Sequence, residues 1–339
     1  MTTRPTVFLT HSPTAVQNYY GPRALAALEA VATVRRCTTE EAFTAETLAA
    51  AAQGCDIIVS DRRAEGSADL LARLPQLVAF CRCAVDIRNV DVAAASAHGI
   101  LVTQASAGFM ASVSEWIVGM MVDLARHLSP AIAQSQAGAA PTVRMGRELR
   151  GATLGIVGFG QIGRYLAGLA RAFGMRVCVA DPFAQLPAEV EAMPLATLLA
   201  QSDFVVCLAA ATPQTENLMD AAAFAAMQPT AYFINAARGN LVDEAALLRA
   251  LDAGRIAGCA LDVGRAPDQM PSPALARHPL VRATPHIGGL TPPAIEHQSL
   301  ETAAQVAAIV QGRIPPGAVN AAQALRLQAR FPITPGRNP

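Results

Sequence analysis

Two side chains in this 339-residue sequence could between them manage the polar half of a small acid's chemistry. Arg238 stands just past the apolar run Tyr232–Asn235, and its planar guanidinium fork matches a carboxylate bidentately. His286 follows Pro285 beyond a later apolar run, and an imidazole with an ordinary pKa near ~6.5 both donates and accepts protons at neutral pH. A cation and a proton donor of this kind suit a small carboxylate that gains or loses a proton. The strongest local signal is Gly158-Phe-Gly160-Gln-Ile-Gly163. It follows the run Leu154–Val157 and opens a helical pattern through Arg164–Phe173. Gly158 allows the tight turn, Gly160 lets a pyrophosphate reach the backbone, and Gly163 permits close helix packing, while the helix N-terminus offers N–H donors. Asp181, eighteen residues past Gly163 at the end of the next apolar run, is placed to bind the adenosine ribose hydroxyls. A 2′-phosphate would meet a like charge there, and Pro182–Gln185 holds no arginine to neutralise it, so NAD is expected rather than NADP.

The elements that must position these residues follow one pattern. Short apolar runs alternate with helical stretches along the whole chain, which predicts an α/β protein with parallel sheets. A first series has strands near Thr6–Thr10, Asp56–Ser60, Leu77–Phe80 and Ile100–Thr103, with helices such as Arg23–Val31 and Ala45–Ala52, and reads as a small doubly wound domain. A helix is expected over Ser112–Leu128, where Val113, Trp116, Ile117, Met120, Met121 and Leu124 form one stripe suited to core or to a subunit contact. After the Gly/Ala/Pro stretch Ala137–Pro141, a second series has strands near Thr153–Val157, Arg176–Ala180, Phe204–Leu208, Tyr232–Asn235, Gly258–Asp262 and Val281–Thr284. Six strands match a dinucleotide-binding sheet. The chain returns through a helix near Ala294–Val310, and Phe331–Pro339 reads as a loose tail.

Composition narrows the function classes. Lys plus Arg and Asp plus Glu are both 26, so no global basic surface exists to bind nucleic acid. No lysine occurs at all, which excludes Schiff-base chemistry and a phosphate-loop lysine. With 52% hydrophobic and 15% charged residues the chain can bury large cores, and its length suggests two domains with room for a cleft. The seven cysteines, from Cys37 to Cys259, read as reduced thiols; Cys81 and Cys83 are too close for a redox pair, and no cluster has metal-ligand spacing. The uncharged stretch Ala97–Ser114 is too interrupted for a membrane helix, and with no signal-like N-terminus the chain reads as cytoplasmic.

Taken in order, Gly158–Gly163, Asp181, Asn235-Ala-Ala-Arg238-Gly, Leu261-Asp262-Val263 and Thr284-Pro-His286-Ile-Gly-Gly289 resemble the D-isomer-specific 2-hydroxyacid dehydrogenases, over about residues 50–320. Within that family the phosphoglycerate and hydroxypyruvate dehydrogenase branch is most similar, through Leu77-Val-Ala, Asn89-Val-Asp91, Ser114-Glu115 and Val319-Asn320. The resemblance implies two doubly wound parallel-sheet domains: a Rossmann NAD-binding domain over 104–289, inserted into a flavodoxin-like substrate domain made of 1–103 and 290–339. It implies a homodimer joined through the nucleotide domain, with the striped helix in the dimer arm. By the same resemblance Gly158, Gly160, Gln161, Ile162, Gly163, Asp181, Ala236, Ala237, Arg238, Asp262, His286 and Gly288 line the cofactor, with Asp262 on the nicotinamide carboxamide. Val85, Asp86 and Arg238 would hold a small anionic substrate.

Three departures bear on the substrate half. The family's glutamate, which pairs with the histidine and keeps it protonated, falls 29 residues past the arginine, and there this chain has Pro267. Asp268 is the nearest carboxylate, one methylene shorter and one residue out of register. Without that partner His286 loses a neighbour that favours its charged form, so reduction is expected to be slower or confined to lower pH. The family's glycine-rich loop reads Ala84-Val-Asp86-Ile-Arg88-Asn89, where Asp86 repels an anionic substrate unless Arg88 or Arg82 pairs with it. Leu208 stands where relatives often carry a histidine. The primary reading is an NAD-dependent 2-hydroxyacid dehydrogenase. Pro267 and Asp86 support a second, an NAD(H)-binding regulatory protein of the corepressor kind. The third is a dehydrogenase of another small anion such as formate, where Gln269 lies two residues from the register of a glutamine.

Overall fold

The structure, a computed structural model, describes residues 4–332 apart from the side chain of Asp268; residues 333–339 of the expected tail lie outside the described residues. Two compact units emerge, one from Met1–Gly108 with Pro292–Pro339 and one from Phe109–Thr291, against expected borders after residues 103 and 289.

The first unit holds five parallel strands, β1 (Thr6–Leu9), β2 (Thr33–Arg36), β3 (Ile57–Ser60), β4 (Ala79–Arg82) and β5 (Leu101–Gln104), in the order β2-β1-β3-β4-β5. This is the flavodoxin-like doubly wound order. β3 and β4 are buried at every position, as a parallel sheet covered on both faces requires. The edge strand β2, Thr-Val-Arg-Arg, carries no apolar run and was not expected from pattern. β4 begins two residues later than Leu77–Phe80, because Leu77 donates its N–H to Leu74 in the preceding turn and joins the core without joining the ladder. The closing helix Pro292–Ile309 returns the second chain end to this unit, where Val306 and Ile309 pack with Val7 and Leu28.

The second unit holds seven parallel strands: β6 (Thr153–Val157), β7 (Arg176–Ala180), β8 (Glu191–Ala192), β9 (Phe204–Cys207), β10 (Tyr232–Asn235), β11 (Gly258–Leu261) and β12 (Val281–Ala283). The order is β12-β11-β10-β9-β6-β7-β8, so chain direction across the sheet reverses between β6 and β9. Open α/β sheets bind ligands at such a switch point, outside the carboxyl ends of the strands. The two-residue exposed strand β8 is the one addition to the six expected. The striped helix spans Met110–Arg126 rather than Ser112–Leu128: His127 turns left-handed at φ 54°, and a second helix, Leu128–Gln136, starts there. Within the stripe, Val113, Ile117, Met121 and Leu124 are buried in the unit's core, and Trp116 and Met120 pack partly buried against the same cluster.

All seven cysteines are buried free thiols. Burial pushes Cys83 up to about 11 and Cys81 and Cys207 up to about 12, which leaves them protonated and poor nucleophiles near neutral pH. Among the described residues no helix is long and apolar enough to cross a membrane.

Candidate active site

The glycine segment turns directly out of β6. Gly158 sits at φ 92°, and a Cβ there would stand 2.5 Å from the backbone of Ala209, so only glycine fits. A Cβ on Gly163 would stand 2.9 Å from the Gly158 carbonyl, which fixes how closely the helix Gln161–Ala172 approaches the strand. Gly160 differs: it caps that helix with no side-chain hydrogen bond, and a Cβ on it would meet nothing within 4 Å. The N–H groups at Gln161, Ile162 and Gly163 therefore begin a helix whose positive end faces open space. That is the form a pyrophosphate requires, and these residues fit the dinucleotide.

Asp181, at the end of β7, accepts hydrogen bonds from Phe159 N–H at 2.7 Å, Phe183 N–H at 2.9 Å and Ala184 N–H at 3.1 Å. Partial burial would raise its pKa, but these three donors and nearby Arg164 outweigh that and hold the carboxyl below its ordinary value. Its charge thus persists at the end of β7, where the same carboxylate braces the glycine turn through Phe159 N–H.

His286 sits just beyond β12 at φ 56°, a left-handed position that a non-glycine residue adopts only when its surroundings impose it. Asp262 imposes it. This carboxylate, at the end of β11 and 4% exposed, accepts from Thr284 Oγ1 at 2.6 Å, Ile287 N–H at 2.8 Å and Gly288 N–H at 2.7 Å. The residue expected at the nicotinamide carboxamide spends its oxygens in large part on holding the histidine turn.

Arg238 follows β10 with an extended backbone. Asn235, 1% exposed, donates its side-chain N–H to the Arg238 carbonyl at 3.0 Å and accepts from Ala237 N–H at 3.1 Å, which shapes the Ala236–Ala237 turn. Neither of these shaping roles, of Asn235 or of Asp262, was legible from residue type, because each depends on which backbone N–H groups a strand end brings near. Beyond Arg238 the backbone of Gly239 runs against that of Gly264, and a Cβ on Gly239 would collide with the Gly264 carbonyl. The loops after β10 and β11 are thereby in direct contact. Pro267 opens a 3₁₀ turn, Pro267–Gln269, in the second of these loops. Asp268 lies in that turn, and its side chain is outside the described residues.

In the first unit, Val85 and Asp86 lie in the turn after β4. Arg88 pairs with Asp86 through Nη2 at 2.7 Å and Nε at 3.0 and 3.1 Å, the outcome in which the Asp86 charge does not stand alone against an anion. Both side chains are partly exposed.

A pyrophosphate cradle, a guanidinium and an imidazole, all at the carboxyl ends of one parallel sheet, define a dinucleotide-dependent dehydrogenase domain. Residues 118–288, just over half of the chain, match the family described as D-isomer specific 2-hydroxyacid dehydrogenase, NAD binding domain, and the chain belongs to that family, whose cofactor is NAD. It is 35% identical over 282 residues to D-3-phosphoglycerate dehydrogenase of Rattus norvegicus, covering 81% of this chain and 52% of that one. With D-3-phosphoglycerate dehydrogenase of Bacillus subtilis it shares 38% over 245 residues, 70% of this chain and 45% of the relative. The chain thus spans about half the length of the curated relatives it matches. A solved structure of a Thermus thermophilus protein superimposes with a TM-score of 0.83 at 28% identity, covering 93% of this chain and 99% of that one.

Proposed function

We propose that the protein is an NAD-dependent oxidoreductase that interconverts a small 2-keto acid and its D-2-hydroxy acid. The observation that carries this reading is the placement of Arg238 after β10 and His286 after β12, on the same edge of the sheet as the glycine turn after β6. Arg238 holds the substrate carboxylate with its fork, which orients the neighbouring carbonyl. His286 gives a proton to that carbonyl oxygen in reduction and recovers it in oxidation. Gly158–Gly163 and Asp181 hold the dinucleotide, with Ala236, Ala237 and Gly288 along it, and the bound nicotinamide supplies or accepts the hydride. Asp262 keeps the histidine turn in place and offers any remaining lone pair to the carboxamide. Pro267 stands at the family's glutamate position, and Asp268 is the nearest carboxylate in sequence. Val85 and Asp86 belong to the substrate side, where Arg88 offsets the carboxylate.

We further assign a homodimer formed through the second unit. Leu128, Ile132, Val143 and Met145 are exposed between residues 128 and 145, the last two by 98% and 95%, an apolar run that a partner would cover. Seven free thiols support a reducing, cytoplasmic setting.

The test is NADH oxidation against glyoxylate, pyruvate, hydroxypyruvate, phenylpyruvate and 2-ketoglutarate from pH 5 to 8, with NADH affinity measured in parallel. Turnover of any member is the expected result. Tight NADH binding without turnover would favour the regulatory reading that Pro267 supports.

A further inference from the structure

Arg265 lies in the loop after β11, two residues before Pro267, and its bonds do not stay in its own loop. Its Nη2 donates to Glu216 Oε1 at 2.8 Å, Asn217 Oδ1 at 2.6 Å and the Asn240 carbonyl at 2.9 Å. Its Nε donates to the Val242 carbonyl at 3.1 Å, and its backbone N–H donates to Glu244 Oε1 at 2.9 Å. Glu216 and Asn217 belong to the loop after β9, and Asn240 and Val242 to the loop after β10 that begins with Arg238. One side chain therefore ties together three consecutive strand-end loops of the sheet.

The partners are themselves linked. Asn240 Nδ2 donates to Glu216 Oε2 at 2.9 Å, Asn217 N–H donates to the Asn240 carbonyl at 2.9 Å, and Met219 pairs in parallel with Val242. Asn217 is held at φ 54°, so its side chain is fixed in a strained backbone position beneath the guanidinium. On the other side Gly239 and Gly264 press backbone on backbone.

We propose that Arg265 is a positioning residue for the carboxylate anchor: through the Asn240 and Val242 carbonyls it fixes the loop that carries Arg238, and it seats the Pro267–Gln269 turn beside it. The inference rests on the reading of Arg238 as that anchor. Arg265 is not a second anchor, because Glu216 offsets its charge and its Nε and Nη2 donors are taken by protein acceptors. An ion pair this exposed, with the two side chains 38% and 43% accessible, adds little to global stability. What the clamp offers is geometry, and a group misplaced by about 1 Å costs on the order of a hundredfold in rate. A lysine can replace the three contacts that converge on Nη2 but has no second donor for the Val242 carbonyl held by Nε, so it cannot close the clamp on the loop after β10.

The experiment compares wild type, Arg265→Ala and Arg265→Lys in the steady state with the most active keto acid of the panel, and measures NADH affinity and amide hydrogen exchange of the same proteins. The expected result is a rise of about ten- to a hundredfold in KM for the keto acid in both variants, with NADH affinity within about threefold of wild type. Exchange should rise in peptides covering 216–219 and 239–243 and stay unchanged over 158–172. Unaltered KM, or full recovery of KM by lysine, would overturn the proposal. If the wild type turns over no keto acid, the functional reading fails by itself, and the exchange data decide the clamp: no rise in the two loops removes it.

Discussion

Asp262 Oδ2 accepts the Gly288 N–H at 2.7 Å, and a Cβ on Gly288 would stand 2.8 Å from that oxygen. The contact admits a hydrogen and nothing larger. With Thr284 and Ile287 on the other oxygen, the end of β11 dictates the turn in which His286 stands. The imidazole is positioned by the strand before its own, at a distance its sequence neighbourhood does not suggest.

Replacing Asp262 with Asn removes the charge and puts a donor where donors already point. Bonds to a charged acceptor contribute about 1.5–3 kcal/mol each and do not add fully, so the thermal midpoint should fall by roughly 5 °C. Gly288→Ala should leave NADH binding measurable while keto-acid turnover falls by about tenfold or more, as the turn is displaced by close to an ångström. Calorimetry and steady-state kinetics check the pair.

On the proposed reading, Arg238→Ala removes the guanidinium that would hold the substrate carboxylate, a group placed after β10 and away from the glycine turn. Keto-acid kcat/KM should fall by about a hundredfold or more while NADH affinity, read from fluorescence, changes little. Retained turnover would remove the role assigned to Arg238.

Pro267→Glu restores a carboxylate at the position the family uses to keep the histidine protonated. An added negative neighbour favours the charged imidazole, so the upper pH limit of reduction should move up by about one unit. A pH–rate profile identical to wild type would show that a carboxylate at position 267 does not act on His286.

The first unit carries an independent pH dependence. His11 is 2% exposed, packs edge-on against Tyr20 with ring centroids 5.0 Å apart, and its Nδ1 has no partner among the described residues. Burial lowers its pKa to about 4; Asp61 opposes the shift, and Arg82 and Arg63 reinforce it. Between its ordinary value of 6.5 and about 4 the unfolded chain binds a proton that the folded unit refuses, so stability rises with pH across this window and is lost on acidification. The shift corresponds to about 3 kcal/mol. His11→Asn should flatten urea unfolding free energies over that range; an unchanged slope would assign the effect elsewhere.

Much of this protein was already determined by its sequence. Buried parallel strands read as apolar runs because both faces are covered, and so β3, β6, β7, β9, β10 and β11 lie close to where the pattern puts them. The glycine turn is legible because its backbone conformation and clearance admit no other residue at Gly158 and Gly163. Arg238 and His286 stand out in the sequence through the motifs Asn235–Gly239 and Thr284–Gly289 of the resemblance, and both lie just past strand ends of the second sheet. The exposed strands β2 and β8 escaped the pattern, since an edge with little to bury imposes no apolar run. Tertiary structure alone decided the rest: that Val113, Ile117, Met121 and Leu124 of the stripe enter the core, that Arg88 answers Asp86, that Asp262 holds the His286 turn, and that Arg265 spans three loops. Each is a contact whose partners are set by where strand ends meet in space, and residue type at one position does not specify which backbone N–H or carbonyl another strand will bring within about 3 Å.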